Sequence, residues 1–306
     1  MHVLVTGVSG YVGAALVPRL RAEGHTVRGF ARSAERVRAA GVEVDELVIG
    51  NAVTGAGVQE ALDGIDVAYY LIHSMEGPAV SGAFAESERR SAESFAEAAG
   101  GVDRFVYLGG LVPAGADPSL HLSSRLAVED TLLAAARDSI AFRASIVIGA
   151  QSRSFRFLVR LIERLPVMAL PAWRRQRTQP IDGRDVLEYL VRAATAPPEL
   201  AGSWDIAGPD VMTYEKLIHR IADSMLVDRP SLRLGFNVTP AASVVASVVA
   251  GEDVGLIRPL MEGLEYDLLP RDERASEAFG VRLHAFDRAV ERALRDWESV
   301  EELAAR

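Results

Sequence analysis

The first half of the chain consists of short β-branched runs that alternate with longer stretches of helical periodicity. The spacing of the apolar positions predicts strands and helices in alternation. The predicted strands are His2–Thr6, Thr26–Ala31, Val44–Ile49, Val67–Ile72, Arg104–Leu108 and Ala141–Ile148. The predicted helices are Val12–Glu23, Ala34–Ala40, Val58–Leu62, Ala83–Ala99 and Pro118–Ala136.

This alternation predicts the fold class. Strands that alternate with helices form βαβ units, which assemble into a parallel sheet with helices on both faces. Runs such as VLVT and SIVIG are apolar at consecutive positions, as a sheet covered on both sides requires. We therefore predict an α/β, doubly wound (Rossmann) domain over residues 1–150, with later contributions near residues 183–207.

The pattern is looser after Gly149, and we interpret residues 151–306 as a smaller, mostly helical and discontinuous substrate-binding region. The predicted elements are helices at Phe155–Leu165, Asp185–Ala194 and Tyr214–Met225, a strand at Ser203–Ala207 and a loop at Pro171–Pro180. Three arginines of this loop either clamp an anionic substrate or are solvated: Arg174, Arg175 and Arg177. The tail from Pro240 is predicted to be largely helical, with a break around Leu268–Arg271. The apolar segment Val238–Ala250 is either a mobile lid or a buried helix.

Composition limits the classes of protein. Of 306 residues, 49% are hydrophobic and 25% charged, which is enough apolar surface for a packed core. The absence of cysteine excludes a thiolate nucleophile and a Cys-ligated zinc site. The net charge of −9 argues against a nucleic-acid partner, and no apolar run reaches the roughly 18 residues of a membrane span. The N-terminus MHVLVTGVSG lacks the basic region of a signal peptide. We expect a cytoplasmic globular protein with a small-molecule substrate, no metal, no nucleic-acid partner and no membrane span.

Three glycines in the segment TGVSGYVG lie between the first predicted strand and the first predicted helix. Glycines at such positions permit a tight turn, let backbone amides approach a diphosphate, and let the helix pack on the strand. The helix N-terminus adds unpaired amides and a positive dipole. The candidate cofactor-binding residues of this loop are Thr6, Gly7, Ser9, Gly10, Tyr11, Val12 and Gly13.

The second predicted strand ends in TVRGFARS, without the carboxylate that accepts from the ribose 2′-hydroxyl of NAD. Arg32 lies about where the 2′-phosphate of NADP binds, with Arg28 nearby, and a guanidinium forms bidentate bonds with phosphate. The sequence therefore favours NADP(H) as cofactor; the alternative is that both arginines are solvated. Asn51, after the third strand, either contacts the adenine edge or begins a turn.

The segments TGVSGYVG, DVAYYLIHS and VYLGGL resemble the short-chain dehydrogenase/reductase superfamily, most of all its atypical extended branch of NmrA-like and epimerase-like NAD(P)-binding proteins. The resemblance covers about residues 1–150, with a weaker similarity in RTQPIDGRDV and GSWDIAGPD. It implies a nicotinamide dinucleotide cofactor and, in active members, a catalytic Ser, Tyr and Lys. Homodimers are common in this superfamily, and a homodimer is the assembly that the resemblance suggests.

The chain departs from the superfamily at all three catalytic positions. The Tyr position holds His121, the Lys position holds Arg125, and the Ser position falls in Leu108–Gly109–Gly110, which has no hydroxyl. Because Lys216 is the only lysine of the chain, no shift of register restores the Tyr-x-x-x-Lys motif. On the predicted helix, His121, Arg125 and Glu129 share one face.

The substituted residues suggest other roles. Arg125 is either a fixed cation at the ribose hydroxyls or the partner of Glu129 in a surface ion pair. His121 either supplies the proton that the missing Tyr would donate or is a residue of the helix-capping turn. His73 follows the fourth strand, and either approaches the nicotinamide or the substrate, or belongs to a structural loop.

Two functions remain. The first is an NADP(H)-dependent oxidoreductase that reduces a small, hydrophobic carbonyl compound or enone. An enone suits the loss of Tyr, because the enolate oxygen needs only hydrogen-bond donors and carbon is protonated from water. The alternative is a non-catalytic NADP(H)-binding redox sensor or regulatory or assembly protein of the NmrA-like type. A sugar-nucleotide epimerase or dehydratase is disfavoured, because those reactions depend on the missing Tyr and Lys.

Overall fold

A computed structural model describes residues 1–72, 81–113, 120–236 and 264–303. In the helices that begin at residues 81 and 120, side chains are described from residues 84 and 122 onward. His73 and the apolar segment 238–250 therefore lie outside the described residues, as does the side chain of His121.

The elements follow the predicted alternation. The strands are β1 (His2–Thr6), β2 (Thr26–Ala31), β3 (Glu46–Ile49), β4 (Val67–Tyr70), β5 (Arg104–Gly110), β6 (Ile140–Ala144), β7 (Val147–Ile148), β8 (Met168–Leu170), β9 (Arg177–Thr178), β10 (Ile181–Asp182), β11 (Gly202–Ile206), β12 (Met212–Thr213) and β13 (Ser231–Arg233). The α-helices are α1 (Tyr11–Ala22), α2 (Ala34–Ala39), α3 (Val58–Leu62), α4 (Ser81–Glu97), α5 (Leu120–Ala135), α6 (Arg153–Arg164), α7 (Gly183–Ala193), α8 (Tyr214–Ser224), α9 (Ala275–Ala278) and α10 (Phe286–Glu298).

Seven parallel strands form the central sheet, in the order β11-β6-β5-β4-β1-β2-β3. The chain first builds outward from β1 to β3, then returns to the other side of β1 with β4. Such a reversal opens a crevice at the carboxyl ends of the strands, where ligands of α/β sheets bind. The predicted doubly wound α/β fold is confirmed.

Helices cover both faces of the sheet. One face carries α1, α2 and α7, and its core includes Val5, Leu16, Val37 and Leu190. The other carries α3, α4 and α5, and its core includes Leu4, Val58, Phe95 and Leu132. Successive side chains of a strand point to opposite faces of the sheet. Since helices cover both faces, the residues of β1 that point to either face are apolar.

Arg104 fastens α7 to the sheet from the start of β5. Its buried guanidinium donates to the carbonyls of Ala193 at 2.5 Å and Ala196 at 2.6 Å, where α7 ends. Its Nε donates to the Asp138 carbonyl at 2.7 Å. A cation at a helix C-terminus satisfies carbonyls that have no partner within the helix. The half of the molecule built on the central sheet therefore includes α7, although this helix comes late in the sequence.

A second hydrophobic core lies where α6, α8 and α10 meet, and it includes Phe155, Ile162, Leu217, Val290 and Trp297. The guanidinium groups of Arg156 and Arg160 lie 4.1 and 5.0 Å from the Trp297 ring centroid. Three strand pairs complete this part of the molecule: β7 with β10, β8 with β13, and β9 with β12. We call these three helices and three strand pairs the second lobe.

The prediction of one strand over Ala141–Ile148 is wrong. The Ser145 N–H donates to the Ile206 carbonyl at 3.1 Å, whereas the Ile146 carbonyl accepts from the Ile181 N–H at 2.9 Å. The chain thus changes partners between β6 and β7 and passes from the central sheet into the second lobe. The loop predicted at residues 171–180 contains a 3₁₀ helix and β9. No helix in the described ranges combines the length and apolarity needed to cross a bilayer.

Candidate functional site

The glycine loop connects β1 to α1 at the carboxyl edge of the sheet. Gly7 has a left-handed φ of +61°, and a Cβ there would lie 2.7 Å from the Leu71 carbonyl oxygen. The Gly10 N–H donates back to the Gly7 carbonyl at 2.8 Å, which closes a tight turn. A Cβ on Gly13 would lie 2.4 Å from that same carbonyl. The turn and the close packing of α1 therefore both require glycine.

The start of α1 is suited to an anion. Gly10 is the N-cap and has no side chain to accept from the first turn, which also contains no acidic residue. The first amides of an α-helix have no acceptor within the helix, and they carry the positive end of its dipole. These are the amides of Tyr11, Val12 and Gly13. Gly10 is exposed and Ser9 half-buried at this edge, so a diphosphate can reach the amides.

The side chain of Thr6 does not belong to this surface. Its buried hydroxyl donates to the Tyr69 carbonyl at 3.0 Å and accepts from the Leu71 N–H at 2.9 Å. The hydroxyl thereby ties β1 to β4. Only the backbone of Thr6 stays a candidate for the cofactor site.

The assignment of Arg28 to the cofactor is corrected. Its Nε donates to the Glu46 carboxylate at 2.6 Å. Its Nη1 donates to three carbonyls around the end of α3, those of Glu60 at 3.1 Å, Ala61 at 3.2 Å and Asp63 at 2.7 Å. Arg28 pairs in register with the first residue of β3. It therefore lies toward the amino ends of the strands, whereas a dinucleotide occupies the crevice at their carboxyl ends.

Arg32, unlike Arg28, lies at the carboxyl end of β2. It is the exposed residue that follows β2 directly. The next residue, Ser33, caps α2 by accepting from the Arg36 N–H at 3.3 Å. No carboxylate lies among the last two residues of β2 and the two that follow.

Asn51 begins a turn, which was one of its two predicted roles. Its Oδ1 accepts from the Val53 N–H at 3.0 Å, and its N–H donates to the Ala56 carbonyl at 2.9 Å. The side-chain oxygen is thus engaged within the loop after β3. The predicted adenine contact stays a prediction.

The carboxyl end of β5 brings two of the substituted catalytic positions together. A Cβ on Gly110 would lie 4.0 Å from Nη1 of Arg125 and 3.9 Å from Leu122. The guanidinium therefore lies beside Gly110, one of the three residues among which the resemblance predicts the catalytic Ser. Arg125 comes from α5 and is half-buried. His121 precedes it by one turn, and its role as a proton donor stays a prediction.

Tyr107 supports this arrangement from within the core. Its ring covers Gly109, where a Cβ would lie 2.9 Å from Cε1 of the ring. Its hydroxyl donates to the Arg125 carbonyl at 3.4 Å. Burial raises the pKa of Tyr107, so the phenol stays neutral.

The alternative of a surface ion pair between Arg125 and Glu129 is wrong. The side chain of Glu129 is only 2% exposed, and its carboxylate pairs with Arg143 at 2.7 Å. One turn earlier in α5, Ser124 donates to the buried Glu88 carboxylate of α4 at 2.7 Å. Sequence reasoning missed Glu88, because a glutamate within a charged helix gives no signal of burial.

Two of the three arginines considered for an anion clamp are engaged elsewhere. Arg174 is buried and donates to the Leu234 carbonyl at 2.8 Å. Arg177 is exposed and forms two hydrogen bonds with Asp267, at 2.7 and 2.9 Å. Arg175 is exposed. The hypothesis of a clamp built from all three is therefore wrong.

Comparison with known proteins identifies the family. Residues 3–200 match the model of the NAD dependent epimerase/dehydratase family, so the chain belongs to this family. No curated protein matches the chain. The expected membership of the short-chain dehydrogenase/reductase superfamily is confirmed.

Solved structures of similar fold cover nearly the whole chain. One is the Bordetella bronchiseptica enzyme WbmH in complex with NAD+, with 17% identity, 98% of both chains covered and a TM-score of 0.72. Another is UDP-glucuronic acid 4-epimerase from Bacillus cereus in complex with UDP-glucuronic acid and NAD, with 15% identity, 98% of this chain and 99% of that chain covered and a TM-score of 0.72. A third is a short-chain dehydrogenase/reductase superfamily protein from Agrobacterium tumefaciens with bound NAD, with 20% identity, 98% and 96% covered and a TM-score of 0.68. These similarities establish the fold.

Proposed function

We propose that the protein is an NADP(H)-dependent oxidoreductase that reduces a small, hydrophobic carbonyl compound or enone. The proposal rests on one observation: the guanidinium of Arg125 lies next to Gly110, one of the positions where the resemblance to the superfamily predicts a catalytic serine. A bound nicotinamide dinucleotide supplies the hydride. The residues of this chain hold that cofactor and stabilise the negative charge that develops on the substrate oxygen.

Arg125 can stabilise the negative charge on the substrate oxygen, but it cannot supply the proton that completes the reduction. A guanidinium presents five N–H donors in a fixed plane and stays protonated at any physiological pH. It can donate two hydrogen bonds to a carbonyl or enolate oxygen, but it does not release a proton. The proton that completes the reduction therefore comes from His121 or from water. Reduction of an enone is the easier case, since water protonates the enolate carbon.

The preference for NADP(H) is supported by the end of β2. Arg32 is exposed there, and no carboxylate occupies the position that would accept from a ribose 2′-hydroxyl. A 2′-phosphate gains a charge-assisted bond from this guanidinium, whereas the NAD hydroxyl finds no carboxylate among these residues.

Reactions on nucleotide sugars fit the chain less well. The Bacillus cereus 4-epimerase binds UDP-glucuronic acid and NAD. Epimerases and dehydratases of the superfamily use a Tyr and Lys to move a hydroxyl proton, and this chain carries His121 and Arg125 instead. An NADP(H)-binding redox sensor or assembly protein is the second candidate, favoured by the same inability of Arg125 to transfer protons.

Measurement of NADPH turnover distinguishes the oxidoreductase from the redox sensor or assembly protein. We expect purified protein to oxidise NADPH with at least one member of a panel of quinones, ketones and enones, followed by loss of NADPH absorbance. Arg125→Met should reduce turnover about 100-fold or more, since the loss of one oxyanion donor has that size. Arg137→Met, at an exposed position after α5, is the matched control. NADPH binding without turnover across the panel would instead support the sensor.

The proton source has its own test. If His121 donates, His121→Ala lowers turnover and the wild-type rate falls as pH rises through about 6.5. A rate that does not change between about pH 5 and 9 assigns the proton to water.

A further inference from the structure

The side chain of Tyr11 reaches from the glycine loop into the second lobe. Tyr11 is the first residue of α1. A Cβ on Gly149, which follows β7, would lie 2.0 Å from the Tyr11 hydroxyl oxygen. A Cβ on Gly183, the first residue of α7, would lie 2.4 Å from the same oxygen. Real Cβ atoms do not approach another atom this closely, so the hydroxyl occupies a slot that only two glycines leave open.

Backbone conformation does not explain these glycines. Neither Gly149 nor Gly183 has a positive φ, so a side chain is excluded by space alone. The parallel pairing of β7 with β10 aligns Ile148 with Asp182, and the two glycines directly follow this pair. The slot is therefore formed by the strand pair that links the second lobe to α7.

The slot also determines the protonation state of the Tyr11 hydroxyl. Burial, together with the negative charge of Asp182, raises the pKa of Tyr11 to about 12. Asp182 itself is held in place, because it caps α7 and pairs with Arg184 at 2.5 Å. The phenol is thus neutral at any physiological pH and acts as a fixed steric contact.

The backbone of the same residue belongs to the anion site at the start of α1. We propose that Tyr11 is a positioning residue, which locks the diphosphate-binding amides of α1 to the second lobe through the slot formed by Gly149 and Gly183. Dinucleotide affinity then depends on packing at Gly149 and Gly183. This inference rests on the dinucleotide binding proposed above.

A steric clash and its relief test the proposal. In Gly183→Ala the new methyl collides with the Tyr11 hydroxyl, whereas its next neighbours are the Ile148 carbonyl at 3.3 Å and the Tyr11 Cζ at 3.5 Å. Tyr11→Phe removes the colliding atom and leaves one tight contact, with the Ile148 carbonyl oxygen, and one ordinary contact, with Cζ. We expect Gly183→Ala to weaken NADPH binding about tenfold in the wild-type background and less than about threefold in the Tyr11→Phe background, a coupling of ordinary size.

Gly149→Ala supplies the contrast. Its methyl would lie 2.9 Å from the Tyr11 Cζ even without the hydroxyl, so Tyr11→Phe should not relieve it. Gly100→Ala is the control, because a Cβ there meets nothing within 4 Å. Tyr11→Leu empties the slot without a clash, and we expect it to weaken NADPH binding about fivefold even if the alanine variants do not fold.

The outcomes are distinct. If wild-type protein binds neither NADPH nor NADH, the proposed function fails together with this inference. If wild-type binds NADPH and a folded Gly183→Ala variant binds it equally well, the inference alone is overturned. A loss of affinity in Gly183→Ala that persists undiminished in the Tyr11→Phe background also overturns it, as does wild-type affinity in Tyr11→Leu.

Discussion

The buried carboxylate of Glu129 on α5 and the half-buried guanidinium of Arg143 on β6 form an ion pair that engages both carboxylate oxygens. Nε of Arg143 donates to Oε2 at 2.9 Å, and Nη2 donates to Oε1 at 2.7 Å. The hydroxyl of Ser203 on β11 also donates to Oε1. One carboxylate therefore joins a helix to the last two strands at one edge of the sheet.

Removal of this carboxylate should destabilise the protein. Glu129→Ala leaves a half-buried guanidinium without its counter-charge, and the loss of one partner of such a pair costs about 3–5 kcal/mol. We expect urea unfolding to show a free energy of unfolding lower by about 3 kcal/mol. Asp130→Ala changes the exposed neighbour on the same helix, and we expect a change within about 0.5 kcal/mol. Equal losses in the two variants would contradict the buried pair.

The N-cap of α1 offers a test of the diphosphate site that does not depend on folding. Gly10→Asp places a negative charge where the diphosphate should rest, so NADPH affinity should fall about tenfold or more through repulsion. Aspartate is a favoured N-cap, which offsets the tight 3.1 Å contact between its Cβ and the Gly7 carbonyl oxygen, so we expect the thermal stability of the protein to change little. Gly10→Asn has the same shape without the charge, and calorimetric titration compares the two. Equal NADPH affinity in both variants places the diphosphate elsewhere.

Arg32 and Arg28 should differ in their effect on cofactor choice. We expect wild-type protein to bind NADPH about tenfold more tightly than NADH, and Arg32→Ala to remove most of that preference. Arg28→Ala should lower stability, because its guanidinium joins β2 to β3 and α3, but should preserve the preference. Equal affinity of the wild-type protein for NADPH and NADH would contradict the proposed role of Arg32 at the 2′-phosphate.

The two glycines at the end of β5 should respond in opposite ways. Among the described residues, a Cβ at Gly110 meets no atom closer than 3.9 Å, so Gly110→Ser should change stability by about 0.5 kcal/mol at most. Gly109→Ala forces the Tyr107 ring to move, and overpacking of this kind costs about 1–3 kcal/mol. Urea unfolding of both variants measures the difference. A similar loss in both would mean that position 110 is not open.

Much of the fold follows from local pattern. The predicted bounds of β1, β2 and α3 coincide with the observed ones, because each of these elements ends where an apolar run meets glycine or a charged residue. Strands of two or three residues, such as β12 and β13, are too short to show a period. The break between β6 and β7 is also absent from the pattern, since both segments are apolar and only the partner strand changes.

The candidate site could also be predicted only in part from the sequence. The glycine loop could be predicted because Gly7, Gly10 and Gly13 contact one another and lie within seven residues of the sequence. The role of Arg28 could not, since its acceptors lie 18 to 35 residues away in sequence. Likewise, nothing near Tyr11 in the sequence indicates a slot made by Gly149 and Gly183.

The attachment of α7 through Arg104 has a consequence for synthesis on the ribosome. A nascent chain that ends near residue 150 has neither α7 nor β11, so β6 is a bare edge strand and Arg104 lacks its acceptors from α7. Bare edges recruit other strands and promote aggregation. The half built on the central sheet can therefore become native only after translation has passed residue 206, where β11 ends.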